Sequence, residues 1–366
     1  MAGPEGHADA RIVALSAVRN EAPYLLEWIA WHRILGVGEI VIASNDCEDG
    51  TERLLDALAA AAEVTHLARG ACLPAADKVG ARTKGVQWQG LRLLWQQPAR
   101  KRADWVLISD VDEFPVIHAG GGRFADLFAA LPGGGADTDA IALPWRLFGS
   151  AGARTIEDTP VTARFLRSAP AGLIHPICAT FFKTLFRPRA FAKPGVHRPK
   201  RREGAAVPLW RDGSGQALAP LYAENDARLS LLGIADPRRL VELHHYSLRS
   251  AEAFLVKALR GLPNRTGKAI DLSYWVERNY NSVGNTAALA LQPALQAEIA
   301  RLMALPDVGR LHREGLAWHR ATAARALQGR AGYGLYCDIL HAADSAVLPE
   351  AEARRLLVLF GALREG

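Results

Sequence analysis

This 366-residue chain lacks a paired cysteine spacing and a long apolar run. Its four cysteines, Cys47, Cys72, Cys178 and Cys337, form neither a C-x-x-C pair nor a His/Cys metal spacing. A disulfide framework and a structural zinc site are therefore excluded, and free thiols in a reducing compartment are expected. The opening residues, Met1 to His7, carry neither a basic n-region nor an apolar h-region, and no uninterrupted apolar run is long enough for a bilayer. The expectation is a cytoplasmic protein, with peripheral contact at the inner membrane face left open. The glycine triplets Gly120-Gly121-Gly122 and Gly133-Gly134-Gly135 are not followed by the Gly-Lys-Ser/Thr of a P-loop. Internal repeats and sustained heptads are also missing.

What is present is the composition of a folded globular protein: 49% hydrophobic and 22% charged residues, with a formal charge of +6. That balance excludes wholesale disorder and describes a surface that attracts anions. The densest basic run, His197-Arg198-Pro199-Lys200-Arg201-Arg202, has no interleaved aromatics on which bases could stack, so nucleic acid is not an expected partner. The run reads as a solvated loop or as an anion-binding patch for an acceptor or a membrane surface.

Arg11 to Val18 is an apolar run of the kind buried on both faces of a parallel sheet. Helical periodicity follows from Pro23, a first-turn residue, to Gly36, and Glu39 to Ser44 reads as a second strand. The right-handed crossover of such a βαβ unit puts both strand C-termini on one edge, where open α/β sheets bind ligands. The loops 19–21 and 45–50 share that edge. A helix from Thr51, a strand over Glu63 to Leu67, a long helix from Gly85 to Gln97 and a strand over Asp104 to Ser109 follow. A short helix around Phe124 to Leu131 and a strand over Ala140 to Trp145 come next, and 172–220, rich in Pro, Gly and Arg, reads as long loops over the site. From Ala251 onward the pattern is helical. The expected division is a disordered 1–9, an α/β domain over 10–250 and a helical region over 251–366.

The strand ending at Ser109 runs into Asp110-Val111-Asp112-Glu113-Phe114-Pro115. Two carboxylates at i and i+2 beyond a buried strand can face one cavity, and hard cations such as Mg2+ or Mn2+ prefer carboxylate oxygens and bridge to diphosphates. Short Asp-x-Asp strings also occur as plain turns; here the position at a ligand-binding edge favours chemistry.

The strings Arg19-Asn20-Glu21, Glu27-Trp28-Ile29-Ala30-Trp31-His32 and Asn45-Asp46-Cys47-Glu48-Asp49-Gly50-Thr51 resemble family 2 glycosyltransferases of the GT-A fold. Asp104-Trp105-Val106, Asp110-Val111-Asp112-Glu113-Phe114, Trp145-Arg146-Leu147-Phe148-Gly149-Ser150 and Leu243-His244-His245-Tyr246-Ser247-Leu248-Arg249-Ser250 resemble the family-92-like branch. The resemblance spans about 10–265. It implies a GT-A, Rossmann-like mixed sheet flanked by helices, and inverting transfer from a nucleotide sugar, often a UDP-sugar, to a glycan or lipid-linked hydroxyl.

It further implies Asp112 on the metal, Asp110 near ribose or metal, and the loop of Arg19, Asn20 and Glu21, with Asn45 or Asp49, around the nucleotide base. Arg82 and Lys84 would reach the same base or the phosphates. His245 would complete the shell of Mn2+ or Mg2+, since a neutral imidazole suits such an ion. Trp145 would stack on an acceptor sugar, Lys183 and His197 would touch phosphate or acceptor, and Lys257 would approach the diphosphate. Inversion needs a carboxylate base; the sequence leaves it unassigned, with Asp158 the nearest match. A nucleotidyltransferase, or a binding module without turnover, is the alternative.

Overall fold

The computed structural model describes residues 10–68, 86–260 and 270–365. The strands are β1 (Ile12–Val18), β2 (Glu39–Ser44), β3 (Thr65–Leu67), β4 (Trp105–Ile108), β5 (Glu113–Ile117), β6 (Ala140–Leu147) and β7 (Arg167–Ser168). They continue with β8 (Phe182–Phe186), β9 (Phe191–Lys193), β10 (Lys200–Arg201), β11 (Trp210–Arg211), β12 (Val241–His245) and β13 (Val283–Gly284). The helices are α1 (Ala22–Ile34), α2 (Thr51–Ala60), α3 (Val86–Gln96), α4 (Pro98–Arg102), α5 (Phe124–Ala130), α6 (Val161–Arg164) and α7 (Leu221–Glu224). After them come α8 (Ala251–Arg260), α9 (Leu272–Val276), α10 (Gln292–Met303), α11 (Val308–Gln328), α12 (Arg330–His341) and α13 (Glu350–Glu365).

The expected mixed sheet flanked by helices is present, in the order β3-β2-β1-β4-β8-β6-β12-β5, with β11 beside β6. The first four strands are parallel, as the βαβ reading requires. β8 then runs antiparallel between β4 and β6, and β12 is parallel to β6 and antiparallel to β5. Alternation divides the core: Ile12 and Ala14 of β1 face α1, α2 and α5, whereas Val13 and Leu15 pack with Leu91 and Leu94 of α3. Helices thus cover both faces, and α1, buried along most of its length, carries Trp28 and Trp31 into the first core.

Two expectations are corrected. The stretch 172–220 is not loop alone: β8 lies within it and fills the centre of the sheet, because Phe182, Thr184 and Phe186 alternate with Lys183 and Leu185 on a strand buried on both faces. The basic run is no solvated loop, since Arg198 is buried, stacks over Trp210 at 4.3 Å and donates to the carbonyls of Arg228 and Tyr222.

The C-terminal helices are fastened to the sheet. Gly315 of α11 lies so close to Ala22 that an added Cβ would sit 2.4 Å from the alanine Cβ, and His319 Nε2 lies 2.9 Å from Asp49 Oδ2. Among the described residues no helix is long and apolar enough to cross a membrane, and no disulfide forms.

Candidate active site

The strand ends β1, β2, β4, β6 and β12 bring 19–21, 45–50, 109–112, 148–150 and 246–250 to one edge. Backbone strain gathers there: Asn20 (φ 53°), Asp46 (φ 48°) and Arg249 (φ 59°) are left-handed without being glycine. The strain is held by specific bonds. Asn20 Oδ1 accepts from the Glu48 amide at 2.8 Å, and the Glu21 amide donates to Thr51 Oγ1 at 2.9 Å, joining the first two loops. Arg249 donates to Glu21 Oε2 at 3.1 Å and to the Val111 carbonyl at 3.3 Å, with its guanidinium 3.3 Å from the centre of the Tyr24 ring.

The two aspartates sit in separate networks. Asp110 Oδ1 accepts from Gln87 Nε2 at 2.9 Å and Oδ2 from Lys183 Nζ at 2.8 Å. Lys183, wholly buried on β8, is also 3.2 Å from Glu113 Oε2, and that same oxygen accepts from the Asp110 amide at 2.9 Å. Glu113 Oε1 accepts from Trp145 Nε1 at 2.9 Å. Burial pushes the Glu113 carboxyl up to about 8, with Lys183 pulling it down and Asp110 and Asp112 pushing it further up. Burial works against the Lys183 charge, but Asp110 and Glu113 more than offset that and keep it protonated.

Asp112 Oδ2 accepts from Lys257 Nζ at 2.8 Å, and Lys257 also donates to the Ser247 carbonyl at 2.7 Å. Asp112 Oδ1 lies 3.6 Å from His245 Nε2. Burial works to raise the Asp112 pKa, yet Lys257, His245 and Arg249 hold it well below the usual carboxylate range. The same burial lowers His245, so its imidazole is the neutral form a metal accepts. Its Nδ1 is buried without a hydrogen-bond partner.

These positions test the fit of a divalent ion. Asp112 Oδ1 and His245 Nε2 have the separation that one ion at about 2.1 Å from each would bridge. Asp110 is held separately, by Gln87 on one oxygen and Lys183 on the other, each oxygen keeping a second lone pair. Among the described residues no group of three or more His, Cys, Asp or Glu is arranged for a metal. Of the expected trio Asp110, Asp112 and His245, the structure brings Asp112 and His245 face to face and fixes Asp110 through Gln87 and Lys183; hard cations take one or two carboxylates and complete their shell with substrate oxygens and water.

Other expected site residues are also relocated. Asp49 is buried: Oδ1 takes the Thr51 amide at 2.9 Å, while Oδ2 takes the Ala22 amide at 3.0 Å and meets His319, so it shapes the loop from within. Asn45 at the end of β2 and Arg19 are both half-buried, with Arg19 Nε on the Asp46 carbonyl at 3.3 Å. Trp145 cannot stack on a sugar, since His245 covers it at 4.2 Å between ring centres and His197 lies against it at 5.3 Å. Lys183 is spent on two carboxylates, Lys257 holds Asp112, and Asp158 pairs with His312 of α11 at 3.0 Å. His197 bonds the Phe182 carbonyl through Nδ1 at 3.2 Å, which fixes its proton there and leaves Nε2 as a lone pair. Arg82 and Lys84 lie outside the described residues.

The reading from sequence missed Gln87, Glu113 and Arg249 as members of the site. Glu113 and Arg249 stood inside quoted motifs, and their buried charge was the available signal; Gln87 had none.

No protein-family model matches the chain, and no curated protein matches it. Among solved structures, the chain is similar to a mycobacterial protein at 21% identity and TM-score 0.26, over 39% of this chain and 43% of that one. It is similar to mannosyl-3-phosphoglycerate synthase from Rubrobacter xylanophilus at 16% identity and TM-score 0.29, over 51% and 56%. S. aureus TarS 1-349 in complex with UDP-GlcNAc aligns over 87% and 92% at 12% identity and TM-score 0.31. The chain thus covers less than two thirds of the first two of these proteins. At these scores the functional reading rests on the site's own geometry.

Proposed function

We propose that the chain is a GT-A-type glycosyltransferase, with the motifs of the family 2 and family-92-like branches, moving a sugar with inversion from a nucleotide-sugar donor, a UDP-sugar first among them. The acceptor is a hydroxyl on a glycan or lipid-linked molecule. The observation that carries the reading is Asp112 Oδ1 facing the neutral His245 Nε2 at 3.6 Å, on the edge that also gathers the 19–21 and 45–50 loops. Asp112 and His245 would hold Mg2+ or Mn2+, which when bound neutralises charge on the departing diphosphate.

The chain's own groups prepare that place. Lys257 and Arg249 keep Asp112 ionised and add positive charge beside it. Lys183 and Gln87 fix both oxygens of Asp110, so this carboxylate presents a single orientation to donor hydroxyls. The test is a screen of nucleotide sugars for release of nucleoside diphosphate, with and without Mn2+, on the parent protein and Asp112→Ala. Metal-stimulated release from one donor, lost in the variant, supports the reading. Release unaffected by the substitution, or no release from any donor, overturns it.

A further inference from the structure

Behind the Trp145 wall of this site lies a cavity of about 280 Å3. Its lining is mostly apolar: Leu173, Ile174, Leu231, Leu232 and Ile234, with Arg238 at one side. Leu173 and Leu231 are buried, whereas Ile174, Leu232 and Ile234 are half-buried and leave the cavity open to solvent. Two loops form it, one following β7 and one preceding β12.

Both loops are bonded to the wall of the site. Arg238 donates to the Ala171 and Trp145 carbonyls at 2.9 Å each, tying one loop to the other and to β6. Leu231 donates its amide to the Thr180 carbonyl at 2.9 Å, and Thr180 Oγ1 meets Ser230 Oγ at 2.7 Å. From Thr180 the chain passes through Phe181, whose ring lies 5.8 Å from Trp145 and 5.9 Å from His197, and reaches Lys183 on Asp110. The cavity therefore adjoins the site on the β6 and β8 side, away from the loops after β1 and β2 that would hold the nucleotide.

An apolar hollow there is costly to leave wet, and a sugar or nucleotide, hydroxylated or charged throughout, does not fill it favourably. Polar recognition is supplied on the other side of Trp145. The pairing of a polar centre with an apolar annex suits a molecule with one hydroxyl-bearing end and one hydrocarbon end.

We infer that this cavity receives the hydrocarbon part of the acceptor, so that the acceptor is an amphiphile, a lipid-linked hydroxyl compound rather than a free glycan. The inference rests on the glycosyltransferase reading and deepens it. Burial of each added methylene tightens binding by roughly fourfold until the hollow is full.

The experiment measures binding of n-alkyl β-D-glucopyranosides, from methyl to octyl, below micelle formation, to the full chain by calorimetry. The expected result is affinity rising about fourfold per methylene over the first several carbons and then levelling. Leu232→Trp, which fills the hollow from a half-buried position, should flatten the series while leaving metal-stimulated donor hydrolysis in place. Affinity independent of chain length in the parent protein overturns the inference, and so does an unchanged slope in folded Leu232→Trp. Donor hydrolysis measured on the same preparation separates the two readings: if it persists while the chain-length series is flat, only the acceptor class fails.

Discussion

Asp110 and Asp112 stand one residue apart, yet the molecule treats them as different groups. Asp110 is gripped by Lys183, 73 residues away on β8, inside a closed network with Glu113 and Trp145. Asp112 is gripped by Lys257, 145 residues away on α8, on one oxygen only, and its other oxygen faces a histidine. Identical side chains thus acquire different work from partners brought by remote strands and helices. The Asp110 network orders the edge; the Asp112 network sets a carboxylate oxygen against an imidazole.

The comparison breaks most visibly at the lysines. Lys183→Met removes a wholly buried ammonium from between the Asp110 carboxylate and the Glu113 carboxyl and should cost about 3–5 kcal/mol of stability, read by denaturant unfolding. Lys257→Met removes one charged hydrogen bond from Asp112 and should cost roughly 1.5–3 kcal/mol. Equal losses would show that the two networks do not differ as described.

Asp112→Ala should then lower turnover by on the order of 10²–10³ without a matching loss of stability, whereas Asp110→Ala should affect unfolding as well as turnover. Steady-state rates compared with melting curves separate the two. A smaller effect is expected from His245→Gln, which should raise the Mn2+ concentration for half-maximal activity by on the order of tenfold; an unchanged metal titration would place the ion elsewhere.

Acid provides the finest test. Burial lowers His197 to about 3, with Lys183 adding to the effect and Asp110 opposing it. An unfolded histidine takes up its proton near 6.5, which the folded one refuses until about 3. Stability is therefore complete above pH ~6.5 and declines as the pH falls from there toward 3. His197→Gln should make the melting temperature less sensitive over that window, and an identical pH profile in both proteins would refute the assignment.

Much of the parallel half was legible. The apolar runs Ile12 to Val18 and Glu39 to Ser44 are buried on both faces, and such strands announce themselves by composition. The mixed half was not, because β8 is five residues long, carries a lysine at its second position and sits among Pro, Gly and Arg. A lysine inside a strand reads as exposure until a carboxylate from elsewhere is placed against it. The same blindness made Trp145 an expected stacking platform, although two histidines from separate segments cover its ring.

By itself the sequence determined where carboxylates follow a buried strand, because that depends only on local alternation and on the abrupt change from apolar to acidic residues at Ser109. Only the tertiary structure decided which aspartate faces the imidazole. That outcome depends on whether Lys183, Lys257 or His245 arrives at each carboxylate, and contacts across scores of residues are set by sheet order and helix packing rather than by anything in the neighbouring sequence.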